Sequence, residues 1–363
     1  MGAAARVPPV AAARIVERVR HHLYRLNQRL MPAPAAMMEM IVAGWLSQAI
    51  TVAAELGVAD ALAAGPMTID ELAAAVGANS DALGRLLRAL IGRGVFHHRD
   101  DGRYELNSLA RSLCSDAEVS MSAAAQFYGS REQRDRWTLL ADSIRSGQSV
   151  VPALHGKGSF DYFAEDPQHA DLFNRTMAGI SRLTDASVAA GYNFGAYPTI
   201  VDVGGGHGLL LAAILAATPG TQGVLYDLPA VVSTASKILC QNRLADRVRI
   251  EAGSFFDQVP AGGDAYLLKN ILHDWPDDQA VQILRNVRAV AGRHATVLLV
   301  ELVIPDHDRD FPGKWADLEM LLNLGARERT AAEYRNLLGR AGFEMTRLVP
   351  TASPLSLVEA RVV

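Results

Sequence analysis

Apolar positions along the chain follow two rhythms, which change over near Tyr192 to Pro198. Before that point the spacing is helical. Ala43 to Ala63 carries Trp45, Ile50, Ala53, Ala54, Leu56, Val58 and Leu62 at mostly helical intervals, and Gly65-Pro66 ends the run. Thr68, with Glu71 three residues on, makes a capping-box pattern that opens a short helix, Leu72 to Val76, closed by Gly77. Asn79 or Ser80 can cap the next helix, Asp81 to Ile91, which gathers Leu83, Leu86, Leu87, Leu90 and Ile91 on one face. Val95-Phe96 and Tyr104–Leu106 then flank Asp100-Asp101-Gly102 as a small hairpin. Helix, turn, helix, hairpin is the winged-helix order. Nearer the N-terminus, Ile15, Val19, His22 and Leu26 predict a helix seeking an apolar partner behind a frayed tail. This Ala- and Arg-rich start resembles a transit peptide superficially but lacks the apolar core of a secretory signal.

After Pro198 short β-rich runs alternate with helical stretches. The candidate strands are Thr199 to Val203, Gln222 to Tyr226, Val248 to Glu251, Ala265 to Leu268, Thr296 to Leu302, Phe343 to Leu348 and Leu355 to Val362. Such alternation predicts an α/β fold with an open, mainly parallel, Rossmann-like sheet of six or seven strands covered on both faces. Ligands of these sheets bind beyond the carboxyl ends of the strands.

Composition narrows the function classes. A length of 363 residues favours two domains or one with a large helical attachment. With 20% charged residues, 50% apolar residues and a net charge of -4, the chain is an ordinary globular protein that does not ask for a polyanion. The winged helix still admits a DNA-binding regulator, because Arg85, Arg88 and Arg93 lie on or after the would-be recognition helix. Asp70, Glu71 and Asp81 offset them, so no nucleic-acid partner is expected. Cys114 and Cys240 provide neither a disulfide framework nor metal-ligand spacing. The expectation is therefore a cytoplasmic protein without a metal. No run of eighteen apolar residues occurs, so no membrane span is expected.

The sharpest local signal is Ile200-Val201-Asp202-Val203-Gly204-Gly205-Gly206-His207-Gly208, followed by the apolar helix Leu209 to Ala217. An apolar strand running into a glycine-rich turn lets a nucleoside approach the backbone, with helix amides close by. Leu209 stands where a dinucleotide fingerprint wants its third glycine or alanine, which speaks against a nicotinamide oxidoreductase. Nineteen residues after Gly208, Asp227 follows the second strand, placed to accept from ribose hydroxyls; its other reading is a cap before Leu228-Pro229. For Asp202 two uses stay open: holding the loop amides, or touching the methionine end of a cofactor.

Gly253-Ser254-Phe255-Phe256-Asp257 and Leu267-Leu268-Lys269-Asn270-Ile271-Leu272-His273-Asp274-Trp275 complete a pattern that resembles the caffeic-acid and hydroxyindole type O-methyltransferases. The likeness includes Phe173-Asn174-Arg175-Thr176-Met177, Glu301-Leu302-Val303-Ile304-Pro305 and Gly325-Ala326-Arg327-Glu328-Arg329-Thr330 in the same order, from about Trp45 to the C-terminus. It implies an S-adenosyl-L-methionine-dependent enzyme with a Rossmann-like methyltransferase domain. Its winged helix is similar to that family's dimerisation domain, which implies a homodimer. The chain then divides into a tail and helix (1–35), the winged-helix dimerisation domain (36–120), a helical linker contributing to the substrate pocket (121–195) and the catalytic domain (196–363).

Carried over by position, the resemblance puts the general base on His273, with Glu301 and Glu328 as the acids that orient it and Asp274 as its acidic neighbour. It assigns Gly204, Gly206, Asp227, Ser254, Phe255, Lys269 and Ser181 to the cofactor. Met177, Trp275, Met320 and Asn323 fall on the methyl-acceptor pocket. The family usually has an acid where Ser254 stands, so one adenine or ribose hydrogen bond differs here. Each residue also has a plainer reading. His273 can be a surface histidine ahead of a helix at Trp275-Pro276-Asp277, and Glu301 a buried strand carboxylate. Glu328 can cap a helix ahead of Thr330 or join Arg327 and Arg329 in a surface salt bridge. Met177, Trp275 and Met320 can be core. A relative that binds the cofactor but performs other chemistry is the rival to methyl transfer.

The chemistry explains the residue types. The activated methyl is already on the cofactor, so alignment of an oxygen nucleophile is the protein's first task. A phenol has a pKa of about 10, and a histidine within hydrogen-bond reach can take its proton during attack. A carboxylate on the other ring nitrogen fixes the tautomer and stabilises the imidazolium.

Overall fold

The computed structural model describes residues 7–159, 162, 165–233 and 235–363, the side chains of 237, 238 and 241 apart. Residues 1–6 of the expected tail lie outside the described residues. The chain forms two compact units. One holds the described residues of Leu23–Leu139 and Phe160–Leu183, the other those of Met1–His22, Leu140–Ser159 and Thr184–Val363. The stretch 121–195, read from sequence as one linker, is thus shared between them.

In the first unit, β1 (His97–His98) and β2 (Tyr104–Glu105) form the wing hairpin, and Met67 bridges to Tyr104 beside it. Val95 and Phe96, expected in the strand, are buried in the core instead. Thr68 and Glu71 make both halves of the capping box on Ile69–Val76, and Asn79 caps Ser80–Ile91. The helix expected over Ala43 to Ala63 breaks at Gly57, which takes a left-handed φ of 67° between Ala43–Glu55 and Val58–Ala61. By length and composition alone, one segment among the described residues, Ala33–Glu55, is long and apolar enough to cross a membrane, although Glu39, Ser47 and Gln48 interrupt its apolar run. It is two helices joined at Val42, with Met37, Met38, Ile41 and Trp45 exposed. The helix Val10–Arg29, whose residues up to His22 are counted with the other unit, forms as its spacing predicts, yet buries none of its residues within the chain.

The second unit is built on seven strands: β3 (Thr199–Val203), β4 (Gln222–Asp227), β5 (Val248–Ala252), β6 (Ala265–Lys269), β7 (Thr296–Glu301), β8 (Phe343–Pro350) and β9 (Ser356–Val362). Their order is β5-β4-β3-β6-β7-β9-β8. The first five in that order are parallel; β9 runs antiparallel to β7 and β8 antiparallel to β9. All six residues of β7 are buried, as a strand covered on both faces requires. Val201, Val203, Tyr266 and Leu268 pack towards Leu284 and Leu337 on one face. Ile200, Leu225, Leu267 and Leu298 pack towards Val188, Leu211 and Leu215 on the other. Each fully buried leucine contributes about 1.5 to 3 kcal/mol of transfer free energy, so these clusters anchor the carboxyl ends of β3, β6 and β7 in a rigid frame.

Candidate active site

The carboxyl end of β6 carries the sharpest geometry. Asn270 follows it with a left-handed φ of 52°, a conformation asparagine tolerates better than most residues. The chain turns there into the short 3₁₀ turn Leu272–Asp274, pinned to the core by buried Leu272. Glu301 ends the neighbouring strand β7 and is fully buried. Its Oε1 accepts from the amides of Ile271 (3.2 Å) and Leu272 (3.0 Å), so this carboxylate fixes the backbone of the turn. Burial pushes its pKa up to about 7, against His273 and the Leu272 amide and with the help of Glu328.

His273 lies among three carboxylates. Its Nδ1 is 2.8 Å from Glu328 Oε1 and 3.8 Å from Glu301 Oε2, and its Nε2 is 3.3 Å from Asp274 Oδ1. Burial works to lower the imidazole pKa, but Asp274, Glu328 and Glu301 together outweigh it and raise it to about 10. Burial likewise lifts Asp274 to about 6. The ring is therefore oriented by Glu328, while Glu301 acts one step back, on the peptide amides. Such a cluster can hold a proton on His273 and exchange it with a group that approaches Nε2.

Neither plainer reading of Glu328 survives. It is 2% exposed, and its own amide donates to Asp317 Oδ1 at 2.9 Å. Thr330 caps the following helix with Glu333. Arg329 is fully buried rather than on the surface. It donates to the carbonyls of Leu272 (2.7 Å) and Trp275 (2.9 Å) and to Asp277 Oδ1 (2.7 Å), clamping both ends of the turn that bears His273. Sequence reasoning missed this residue; the available signal was an arginine beside a catalytic-type acid, with Asp277 placed to meet it.

At the carboxyl ends of β3 and β4 the glycine turn is built for close approach. A Cβ on Gly204 would lie 2.5 Å from Ile271 Cδ1, and Gly206, at φ 59°, faces nothing within 4 Å. Asp227 accepts from the amides of Gly206 (2.8 Å) and Leu228 (2.7 Å), so the capping role is realised, and each oxygen keeps a lone pair for a further donor. Phe255 comes within 3.5 Å of the Gly204 Cβ position, and Asn286 Nδ2 donates to the carbonyls of Phe255 and Phe256 at 2.8 Å. Ser254 Oγ accepts from the Phe256 amide at 3.2 Å, a local turn contact. Lys269 is ion-paired with Asp185. Open space above Gly206, an acid below it and an aromatic edge beside Gly204 fit an adenosyl group.

Trp275 stands edge-on to Phe256 with ring centres 4.7 Å apart, which joins it to the Phe255-Phe256 pair. Met320 is part-buried on the helix Pro312–Leu324. Asn323, on the same helix, donates through Nδ2 to the Glu319 carbonyl at 3.0 Å. Met177 and Ser181 belong to the part of the helix Pro167–Gly191 that falls in the other unit. Among the described residues, His273, Glu301 and Glu328 bring ligand-type atoms within 4.8 Å of one another, as do Asp60, Cys114 and Asp116. Sequence spacing could not show these groupings. In the first, His273 Nδ1 and Glu301 Oε1 are engaged in the hydrogen bonds already described.

Comparison with known proteins gives the family. The O-methyltransferase domain family matches residues 137–344 and the O-methyltransferase dimerisation domain matches 38–116. The chain is 40% identical to the phenazine O-methyltransferase PhzM of Lysobacter antibioticus over 331 residues, covering 91% of this chain and 97% of the relative. It is 34% identical to the 8-amino-8-demethylriboflavin N,N-dimethyltransferase of Streptomyces davaonensis over 313 residues, 85% of this chain and 89% of the relative. The crystal structure of the O-methyltransferase NcsB1 from neocarzinostatin biosynthesis, in complex with S-adenosylmethionine and 2-hydroxy-5-methyl naphthoic acid, superposes with a TM-score of 0.74 at 35% identity. That match covers 88% of this chain and 96% of NcsB1.

Proposed function

This chain belongs to the S-adenosylmethionine-dependent O-methyltransferases of small molecules, and we propose that it methylates a hydroxyl on a planar, hydroxylated aromatic compound with His273 as the general base. The observation that carries the reading is the His273 Nδ1 contact to buried Glu328, which makes Nε2, 3.3 Å from Asp274 Oδ1, the ring nitrogen to meet an acceptor. Bound cofactor supplies an activated methyl on a sulfonium. An acceptor hydroxyl that took this methyl would give up its proton to His273 Nε2. The carboxylates around His273 raise its pKa towards the range of a phenol, which makes the imidazole a stronger base for that proton. Glu328 holds the imidazolium that results; Glu301 and Arg329 hold the turn. Gly204, Gly206, Asp227, Ser254 and Phe255 take the adenosyl group in this reading, and Trp275, Met320 and Asn323 shape the rest of the site within the same unit. A mass-spectrometric screen of hydroxylated aromatics with isotopically labelled cofactor tests it. Labelled product from phenols, lost on His273→Ala, supports the proposal, and labelling confined to amines refutes it.

Transfer to an arylamine is the second reading, favoured by the 34% identity to a flavin N,N-dimethyltransferase. A neutral arylamine needs no base to attack, so the three acids around His273 argue for oxygen. Homodimer assembly through the N-terminal region is part of the same proposal, supported by the dimerisation-domain match and by the exposed Trp45, Met37 and Ile41. Free Cys114 and Cys240 support a reducing, cytoplasmic setting.

A further inference from the structure

The helix Pro312–Leu324 is fixed at both ends within the second unit. Lys314 Nζ donates to the carbonyls of His307 (2.7 Å) and Arg309 (3.1 Å) in the loop before it. At the other end Ser149 Oγ shares its proton between the carbonyls of Leu322 (3.1 Å) and Asn323 (2.8 Å), and Ser159 Oγ donates to that of Asn323 (2.6 Å). Two serines thus satisfy last-turn carbonyls that a helix leaves open. Beyond Gly325, which takes a left-handed φ of 64°, residues 326–329 form neither helix nor strand until Thr330 bridges to Ile304. Glu328 sits in that stretch, so its contact to His273 is only as fixed as its backbone. The one proton of the Glu328 amide goes back to the helix, to Asp317 Oδ1 at 2.9 Å. Burial pushes the Asp317 carboxyl up, the Glu328 amide pulls it down, and the Glu328 charge pushes it up again, with Arg327 and Glu333 acting in opposite senses. Two acids are brought to one short loop against their mutual repulsion, a local conflict of the kind that marks a site where position matters more than stability.

We propose that Asp317 is a positioning residue for the reaction: it ties Glu328, and through Glu328 the His273 ring, to the helix that carries Met320 and Asn323, so that one rigid element seats the acceptor and places the base. Asp317 and Met320 are three residues apart, as are Met320 and Asn323, so each pair is adjacent on the helix surface. Two hydrogen bonds complete the path, from the Glu328 amide to Asp317 and from the His273 ring to Glu328 Oε1. Arg329 holds the backbone of the turn that bears the histidine; Asp317 holds the acid that meets its ring. The inference rests on the proposed base and the proposed acceptor side.

Hydrogen exchange and kinetics of the full chain test it, with a phenol that the labelled-cofactor screen turns over. In wild type without ligands the Glu328 amide is protected although it lies in a loop; Asp317→Asn, which keeps an accepting oxygen, retains that protection, and Asp317→Leu loses it. Asp317→Leu lowers kcat about 10- to 100-fold with acceptor KM and the S-adenosylhomocysteine Kd nearly unchanged, whereas Asp317→Asn stays within about 3-fold of wild type. The pH profile separates positioning from general damage. Glu328 raises the His273 pKa together with Asp274 and Glu301, so a displaced Glu328 lets that pKa fall and moves the rising limb of kcat/KM to lower pH in Asp317→Leu alone. Loss of folded enzyme would lower the rate and leave the limb in place. An unchanged kcat and limb in Asp317→Leu overturn the proposal, and so does an equal loss in Asp317→Asn, which would assign the effect to charge. Fast exchange of the wild-type Glu328 amide overturns it even if Asp317→Leu does not fold. Full turnover in His273→Ala would overturn the base on which the proposal rests while the exchange result still stood, so the two failures are told apart.

Discussion

Glu328 and Arg329, adjacent in the chain, hold the turn that bears His273 from two sides: Glu328 Oε1 meets the His273 ring at 2.8 Å, and Arg329 holds the Leu272 carbonyl at 2.7 Å. The imidazole and the backbone that carries it therefore share one support. A shift of this loop displaces both, which makes the site rigid as a unit.

Arg329→Lys tests that support. Lysine keeps the charge but offers a single centre, unable to reach the Leu272 and Trp275 carbonyls and Asp277 at once. We expect about 1 to 3 kcal/mol lower stability in urea unfolding, from acceptors left unpaired. Turnover should fall about 10- to 100-fold while the cofactor Kd changes little, because His273 loses its placement. Full turnover in a folded variant would show that Glu301 alone suffices to hold the turn.

Glu328→Gln tests the electrostatics of the base. With the His273 pKa at about 10, kcat/KM for an ordinary phenol should rise with pH from neutrality upward, since the unprotonated imidazole is the reactive form. Glu328 is one of the charges that raise that pKa. Glutamine keeps a hydrogen-bonding oxygen but removes the charge, so the rising limb should move to lower pH. A pH–rate profile of both enzymes decides, and a limb that stays fixed or moves upward would remove Glu328 from the control of His273.

The sheet was legible in the chain because continuous apolar runs and glycine turns are local signals; each of the seven strands begins within one residue of its predicted start. The hairpin was misplaced since Val95 and Phe96 are apolar for the core and not for a strand. His273, Glu301 and Glu328 were legible through family resemblance, but not their division of labour. Which acid meets the ring depends on how β7 and the loop after Pro312–Leu324 converge, a tertiary fact. Arg329 and Asp185 were hidden for another reason: charged residues are mostly solvated, and only a buried partner reveals the exception.

Asp227→Ala should weaken S-adenosylmethionine binding by about 1 to 3 kcal/mol, read by calorimetry. Because Asp227 also receives the Gly206 and Leu228 amides, Asp227→Asn is the needed control. If the amide variant binds as wild type does, the residue serves the loop geometry and its charge is not used by the ribose.

Light scattering on the intact chain should give the mass of two copies at micromolar concentration. Trp45, 75% exposed in the single chain, is the residue whose replacement by glutamate should shift the population towards one copy. An unchanged mass in that variant would move the interface to another face.

His273→Ala carries the most weight for the proposed chemistry. In the proposed mechanism cofactor contacts and proton removal fall on different residues, so the variant should bind S-adenosylmethionine as wild type does yet lose about 10² to 10⁴ in turnover with an ordinary phenol. The size of the loss should depend on the acceptor. A hydroxyl acidic enough to ionise unaided at neutral pH arrives already deprotonated and needs little from the base, so the deficit should shrink across a series of falling acceptor pKa. An arylamine, which attacks as the neutral base, should show a small deficit as well. Rates of both enzymes over such a series, at saturating cofactor, give the slope directly. The same deficit for every acceptor would make His273 a group that positions the acceptor, because alignment is lost whatever the proton inventory. No deficit with any phenol would take it out of the mechanism and leave deprotonation to solvent.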